Sequence, residues 1–138
     1  MINWTNKDDV QWEGTFTSRI FRNEEDDELT IFIENPSVAE FAEKCADSLN
    51  TLPQQMIDEI CSKIAESAEE VGESELPALD EPQDILKYCW FTTVYVNAPK
   101  DGGAVSYIVE GEGDWGESVG FVIENDKLTY VGADYFNA

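Results

Sequence analysis

The sequence contains no histidine. Serine and cysteine hydrolases use histidine as a general base, and most zinc hydrolases use it as a metal ligand, so this absence removes those catalytic classes. The sequence also lacks a GxxxxGKS/T phosphate loop, and its clustered glycines Gly111, Gly113, Gly116 and Gly120 do not lie between a predicted strand and a predicted helix. We therefore predict a protein that is not an enzyme and that uses no cofactor.

Basic residues are scarce: 8 Lys and Arg stand against 30 Asp and Glu, for a formal net charge of -22. Neutralising the phosphates of nucleic acid or of an anionic membrane requires a basic surface, which this chain does not have. No apolar run approaches the roughly 18 residues of a membrane span, and residues 1–9 lack the basic and apolar regions of a signal peptide. We expect a cytoplasmic protein that binds neither nucleic acid nor membranes.

Cysteine is also rare, with Cys45, Cys61 and Cys89 the three present. Their number is odd, no two have CxxC spacing, and no histidine is available to complete a metal site. We therefore predict reduced, buried thiols, and neither a disulfide framework nor a metal site.

Apolar residues, in contrast, are plentiful. They make up 42% of the chain, which includes 7 Phe, 5 Tyr and 4 Trp, so the high charge does not indicate disorder. A length of 138 residues suits one domain, because most single domains contain roughly 100 to 150 residues. We expect residues 1–138 to form a single folded domain.

The order of apolar patterns predicts the fold class. Alternating residues indicate strands from Trp12 toward Phe21 and over residues 29–33, and capping-box patterns at Ser37/Glu40 and Thr51/Gln54 precede two amphipathic helices that end near Glu70. A short helix is expected at Pro82. Four strands follow, at 89–96, 104–109, 119–124 and 128–130, the last two joined by a turn at Asn125-Asp126. This order predicts an α+β domain whose mostly antiparallel sheet contains an N-terminal hairpin and four C-terminal strands, with two or three helices on one face.

Two acidic stretches are the candidate binding residues. Five consecutive acids repel one another and cannot enter a core, so the first stretch should form a solvated hairpin tip that could steer a partner. In the second stretch, four carboxylates and three glycines surround a tryptophan, a residue that often anchors protein interfaces. The predicted partner-binding residues are Glu24, Glu25, Asp26, Asp27 and Glu28 in the first stretch, and Glu110, Glu112, Asp114, Trp115 and Glu117 in the second.

Other interpretations of these stretches remain open. The first could be only a solvated loop, and the second could be the solvent-facing row of a strand. Glu110, Glu112 and Asp114 have the spacing of the first three ligands of a calcium loop, but an EF-hand would need glycine and glutamate where this chain has Trp115 and Phe121. A small-ligand or calcium-binding domain that uses residues 110–117 is therefore the alternative function, and a purely structural domain is a third.

Three features carry a family resemblance: Trp12-Glu13-Gly14 opening a short hairpin, two amphipathic helices in the middle of the chain, and the closing segment from Gly116 to Gly132. With these features the chain resembles bacterial proteins of the immunity-like families of polymorphic toxin systems. The resemblance implies a small cytoplasmic protein that binds and neutralises a toxin, and it assigns no role to individual residues. The negative charge independently suits a basic target such as a nuclease. We therefore predict an acidic protein-binding module with a basic protein partner. An immunity protein is the more specific form that the resemblance implies. The oligomeric state stays open.

Overall fold

In the part of the chain that the structure describes, seven strands form one sheet whose spatial order follows the chain. The computed structural model describes residues 2–7, 11–34, 36–71, 80–97 and 105–137, without the side chains of residues 36, 70, 71 and 137. Neighbouring strands are antiparallel except for the third and fourth along the chain, which are parallel. The strands are β1 Asn3–Lys7, β2 Trp12–Thr17, β3 Glu28–Ile33, β4 Cys89–Val96, β5 Tyr107–Gly113, β6 Ser118–Glu124 and β7 Lys127–Gly132.

Two α-helices connect the parallel pair: α1 covers Ala39–Asn50 and α2 covers Gln54–Val71. Parallel neighbours need such a crossover because the chain must return to the same end of the sheet. Short 3₁₀ helices lie at Pro36–Val38, Pro82–Lys87 and Tyr135–Asn137. This arrangement confirms the predicted α+β class with a mostly antiparallel sheet.

The core lies between the helices and one face of the sheet, which we call the inner face. Alternate strand residues such as Leu29, Ile31 and Ile33 are fully buried there. The hydroxyl groups of Ser48 on α1 and Tyr107 on β5 lie 3.1 Å apart and join the two layers. The buried helix residues form the predicted stripes: Phe41, Ala42, Cys45 and Leu49 on α1, and Ile57, Ile60, Cys61 and Ile64 on α2. The opposite, outer face of the sheet carries neither α-helix.

The three cysteines are buried and unpaired, as predicted. Burial raises the pKa of each thiol to about 12. A thiol with so high a pKa forms almost no thiolate at neutral pH, so these side chains act as small apolar packing residues.

The sequence prediction missed β1. Its residues are mostly exposed and polar, and it is an edge strand that pairs only with β2, so it has no strong apolar alternation. Its contact with the core is made by Trp4, whose ring lies 5.4 Å from that of Trp12. The predicted first strand also ends early, at Thr17, because the chain then leaves the sheet and turns Phe21 into the core.

Both predicted capping boxes are wrong. The N-cap of helix α1 is Val38, and no side chain forms a capping hydrogen bond there. Thr51 is the C-cap of α1, and its hydroxyl donates to the carbonyl oxygen of Asp47 at 2.7 Å. The capping box that does form joins Glu81 and Asp84 at the short helix predicted at Pro82. The start of the strand predicted at residues 104–109 lies outside the described residues.

The closing hairpin agrees with its prediction. Asn125 and Asp126 have φ values of 54° and 64°, the left-handed conformation required by a tight two-residue turn that matches the twist of its strands. Within the described part of the chain, no helix is long and apolar enough to cross a membrane.

Candidate functional site

The connection between β2 and β3 is fastened to one end of the sheet. Phe21 is fully buried, with its ring 5.2 Å from that of Phe91 and 4.9 Å from that of Phe121. The backbone amide of Phe91 donates to the carbonyl oxygen of Arg22 at 2.8 Å, and that of Ser18 donates to Asp27 at 2.7 Å. Because these contacts hold both ends of the connection, the exposed acids Glu24, Glu25 and Asp26 lie on an anchored loop.

This loop forms one wall of a groove of about 840 Å³, which we call the acidic groove. The 3₁₀ helix Pro82–Lys87, the start of β4 and the turn after β5 complete it. Three half-buried apolar residues line part of the groove: Ile20, Leu86 and Trp90. Its charged side chains are Glu24, Glu25, Asp26, Asp27, Glu81, Asp84 and Asp114, with Arg19, Arg22 and Lys87 as the bases.

Ion pairs neutralise only part of the groove. Arg22 lies 3.3 Å from Asp27, and Lys87 lies 3.6 Å from Asp84. Three of these four side chains are more than half exposed, and exposed ion pairs stabilise a protein by about 0 to 1 kcal/mol. Two of the three bases are therefore already paired inside the groove, which leaves it with an excess of carboxylates.

Asp114 brings the second predicted acidic stretch to the first. Its backbone amide donates to the carbonyl oxygen of Tyr88 at 2.8 Å, which holds the β5–β6 turn against the segment before β4. The structure thus places Glu24, Glu25, Asp26, Asp27 and Asp114 around one groove. Glu28 begins β3 beside it, and Glu117 is exposed in the β5–β6 turn.

Trp115 packs against its own turn. Its indole lies over Gly113, where any Cβ atom would overlap the ring, and the side chain is half-buried against the core. Its Nε1 atom is buried and has no hydrogen-bond partner among the described residues. This packing gives Trp115 a structural role, and its role as a partner-binding residue stays a prediction.

Glu110 and Glu112 are not part of the groove lining and lie on the outer face of the sheet, where Glu112 pairs with Trp90 at the edge of the groove. They alternate along β5 with Val109 and Gly111, which are buried toward the helices. Glu110 pairs with Gly120 on β6, and Glu112 pairs with Ser118. The second acidic stretch is therefore divided between two surfaces: Glu110 and Glu112 share one face because they are two residues apart on β5, whereas Asp114 lies in the turn after the strand.

An aromatic row runs over the outer face, made of Phe32, Tyr95, Phe136 and Tyr135. The rings of Phe32 and Tyr95 are stacked with centroids 5.8 Å apart. Phe136 lies 5.1 Å from Tyr95 and 4.9 Å from Tyr135. Phe136 is 57% exposed, the one large apolar side chain that is exposed in the described part of the chain.

Glu110 lies beside this row. Tyr135 packs on Gly120, the residue that pairs with Glu110, and a Cβ atom there would overlap its ring. Burial is the largest cause that raises the pKa of Tyr95, and the negative charge of Glu110 is the next. The same two causes, in the same order, raise the pKa of Tyr135 to about 12. Hydrogen bonding to Glu110 contributes in the same direction for both tyrosines. Two tyrosine hydroxyls therefore adjoin this half-buried carboxylate.

Sequence reasoning did not single out Tyr95, Tyr135 or Phe136. They come from β4 and from the last 3₁₀ helix, and only the sheet order brings them together. Among the described residues, no group of three or more Cys, Asp or Glu side chains is arranged to hold a metal ion. Carboxylates beside aromatic and apolar surface are suited to contacts with positively charged groups.

One family model matches the chain over residues 2–136, and its description is Domain of unknown function (DUF6985). No curated protein and no solved structure matches the chain. The family description assigns no activity.

Proposed function

Because the chain belongs to the DUF6985 family of domains of unknown function, we propose from its own geometry that it is a non-catalytic, acidic protein-binding module. The acidic groove receives a basic segment of a partner protein. The observation that carries this proposal is the meeting of the first acidic stretch with Asp114, far from it in the sequence, around a groove with apolar side chains in its lining.

The two kinds of groove residue have different roles. Carboxylates on the rim attract a basic partner over a distance of about one Debye length, which is roughly 8 to 10 Å at physiological salt. Apolar side chains such as Leu86 and Trp90 provide surface that leaves water when the partner docks, and this burial supports affinity. A purely solvated acidic loop would supply the first effect without the second.

The finer form of the proposal is inhibition of a basic toxin such as a nuclease, in the manner of an immunity protein. Its support is the resemblance carried by Trp12-Glu13-Gly14, the two helices and the closing hairpin, together with the net charge of -22. A nuclease binds phosphates through a basic surface, and an acidic groove offers that surface a competing set of negative groups.

The experiment compares two double variants with the same change in charge. Glu24→Lys/Glu25→Lys changes the groove, whereas Asp47→Lys/Glu69→Lys changes exposed positions on α1 and α2. Partners are captured from lysate of the source organism on the wild-type protein at low and moderate salt. The association rate of the purified basic partner is then measured with all three proteins.

The proposal predicts one dominant basic partner that survives moderate salt and whose association slows about tenfold or more with the groove variant alone. If the two variants slow association equally, the net charge rather than the groove is responsible, and the assignment of the groove is wrong. If only a mixture of basic proteins is captured, and all are lost together at moderate salt, the protein-binding function itself is refuted. Inhibition of a nuclease activity of the captured partner tests the finer form.

A further inference from the structure

We propose that the outer face of the sheet contains a recognition site for an arginine side chain of a protein partner, formed by the Glu110 carboxylate and the rings of Tyr95 and Phe136. This site is separate from the acidic groove. It does not depend on the function proposed for the groove, because neither Glu110 nor the aromatic row belongs to the groove lining.

The rings supply a surface for a flat cation. Tyr95 is stacked on Phe32, which fixes its plane, and Phe136 meets it edge to face at 5.1 Å. Tyr135 is buried on Gly120 and supports Phe136 from below. A guanidinium group stacks on aromatic rings through cation–π attraction and through its own planar system.

The carboxylate supplies the charge. Glu110 is half-buried beside this aromatic surface, and none of the ion pairs in the described part of the chain involves it. A carboxylate that has lost part of its water gains more from a cation than an exposed one does, because the surroundings screen the attraction less. Tyr135 packs on Gly120, the residue that pairs with Glu110, and Tyr95 pairs with Ile108, two residues before Glu110 on β5.

Arginine fits this combination better than a metal ion or lysine does. A metal ion would need several oxygen ligands, and no group of three metal-ligating side chains is present in the described residues. Lysine is a strongly hydrated point charge, whereas guanidinium is planar, more weakly hydrated and able to bond a carboxylate through two parallel N–H groups. The charge of -22 makes a positively charged partner the complementary one.

The experiment uses a short probe peptide, acetyl-Gly-Arg-Gly-amide, and its citrulline counterpart, which has nearly the same shape and no charge. Binding to the full chain is followed by NMR chemical shifts at moderate salt, up to 20 mM peptide. The site variants are Glu110→Gln and Phe136→Ala. The matched control is Glu112→Gln, which removes the same charge from the next outward-facing residue of β5.

We expect the arginine peptide to give saturable shifts centred on β4, β5 and the last 3₁₀ helix, and the citrulline peptide to give none. Glu110→Gln should weaken binding about tenfold, and Phe136→Ala about threefold, because they remove the ion pair and part of the cation–π surface respectively. Glu112→Gln should change it less than about twofold. The inference is overturned if no saturable shifts appear on this face, if citrulline binds equally well, or if Glu112→Gln matches Glu110→Gln.

The amide spectrum of each variant shows whether it keeps the wild-type fold. Phe136 is largely exposed, so its removal leaves the core intact even if Glu110→Gln disturbs the sheet. The groove variant Glu24→Lys/Glu25→Lys should still show saturable binding of the arginine peptide on the outer face. Failure of this site and failure of the groove proposal therefore give different results.

Discussion

Replacing Phe21 by alanine tests whether the acidic loop is anchored through the core. Phe21 is fully buried, and its ring contacts those of Phe91 and Phe121. Truncation of a buried phenylalanine to alanine costs about 3 to 5 kcal/mol, since the apolar burial is lost and a cavity remains. The same truncation at Phe136, which is 57% exposed, should cost about 1 kcal/mol or less because little surface is lost from the interior.

Urea unfolding of the two variants measures this difference. With a denaturant dependence of about 1.5 kcal/mol per M, a loss of 3 kcal/mol lowers the unfolding midpoint by about 2 M. Phe21→Ala should also make the peptide bonds after Arg19 and Arg22 more sensitive to trypsin, because the loop loses its anchor. If Phe21→Ala lowers the midpoint no more than Phe136→Ala does, the loop is not held by the core, and the groove has no fixed wall.

Two further predictions concern the thiols and calcium. The free energy of unfolding should fall as pH rises from 9 toward 12, because the thiols ionise near pH 9 in the unfolded chain, whereas burial keeps the pKa of Cys45, Cys61 and Cys89 at about 12 in the folded chain. Urea unfolding midpoints measured between pH 8 and 10.5 test this prediction. The midpoint of a Cys61→Ala variant should fall less steeply with pH than that of the wild-type protein. Equal slopes for the two proteins would show that the thiols are not the cause. Calcium should raise the melting temperature no more than magnesium does at equal concentration, since both ions only screen the charge of -22. A saturable rise with calcium alone would contradict this and support the alternative of a calcium site at residues 110–117.

Local signals explain which elements could be predicted from the sequence. The helices have apolar stripes of helical period, and the last hairpin has two adjacent residues that tolerate positive φ, so each pattern is contained within its own segment. The cap of α1 was predicted wrongly because Ser37 and Val38 compete for nearly the same position and a 3₁₀ turn precedes the helix. β1 was missed because an exposed edge strand has little apolar alternation to detect.

The candidate sites depend on pairing between distant segments of the chain, which local sequence patterns do not reveal. The acids at residues 24–27 and Asp114 meet because the segment that enters β4 bonds to both, through the pairs Phe91–Arg22 and Asp114–Tyr88. The aromatic row requires β3 and β4 to be neighbours and the last 3₁₀ helix to cross β6. No local pattern near residue 136 indicates either condition.

The two surfaces use negative charge in physically different ways. Glu24 and Glu25 are exposed on the groove rim, so salt should screen their attraction and mainly slow the association of a basic partner. Glu110 lies half-buried among rings, so a guanidinium group paired with it would lose water on binding, and breaking the pair should mainly speed dissociation. A partner that uses both surfaces would therefore show an association rate that falls with salt and a dissociation rate that changes little. That combination is expected only if the net charge steers the encounter while Glu110 and the aromatic row hold the complex.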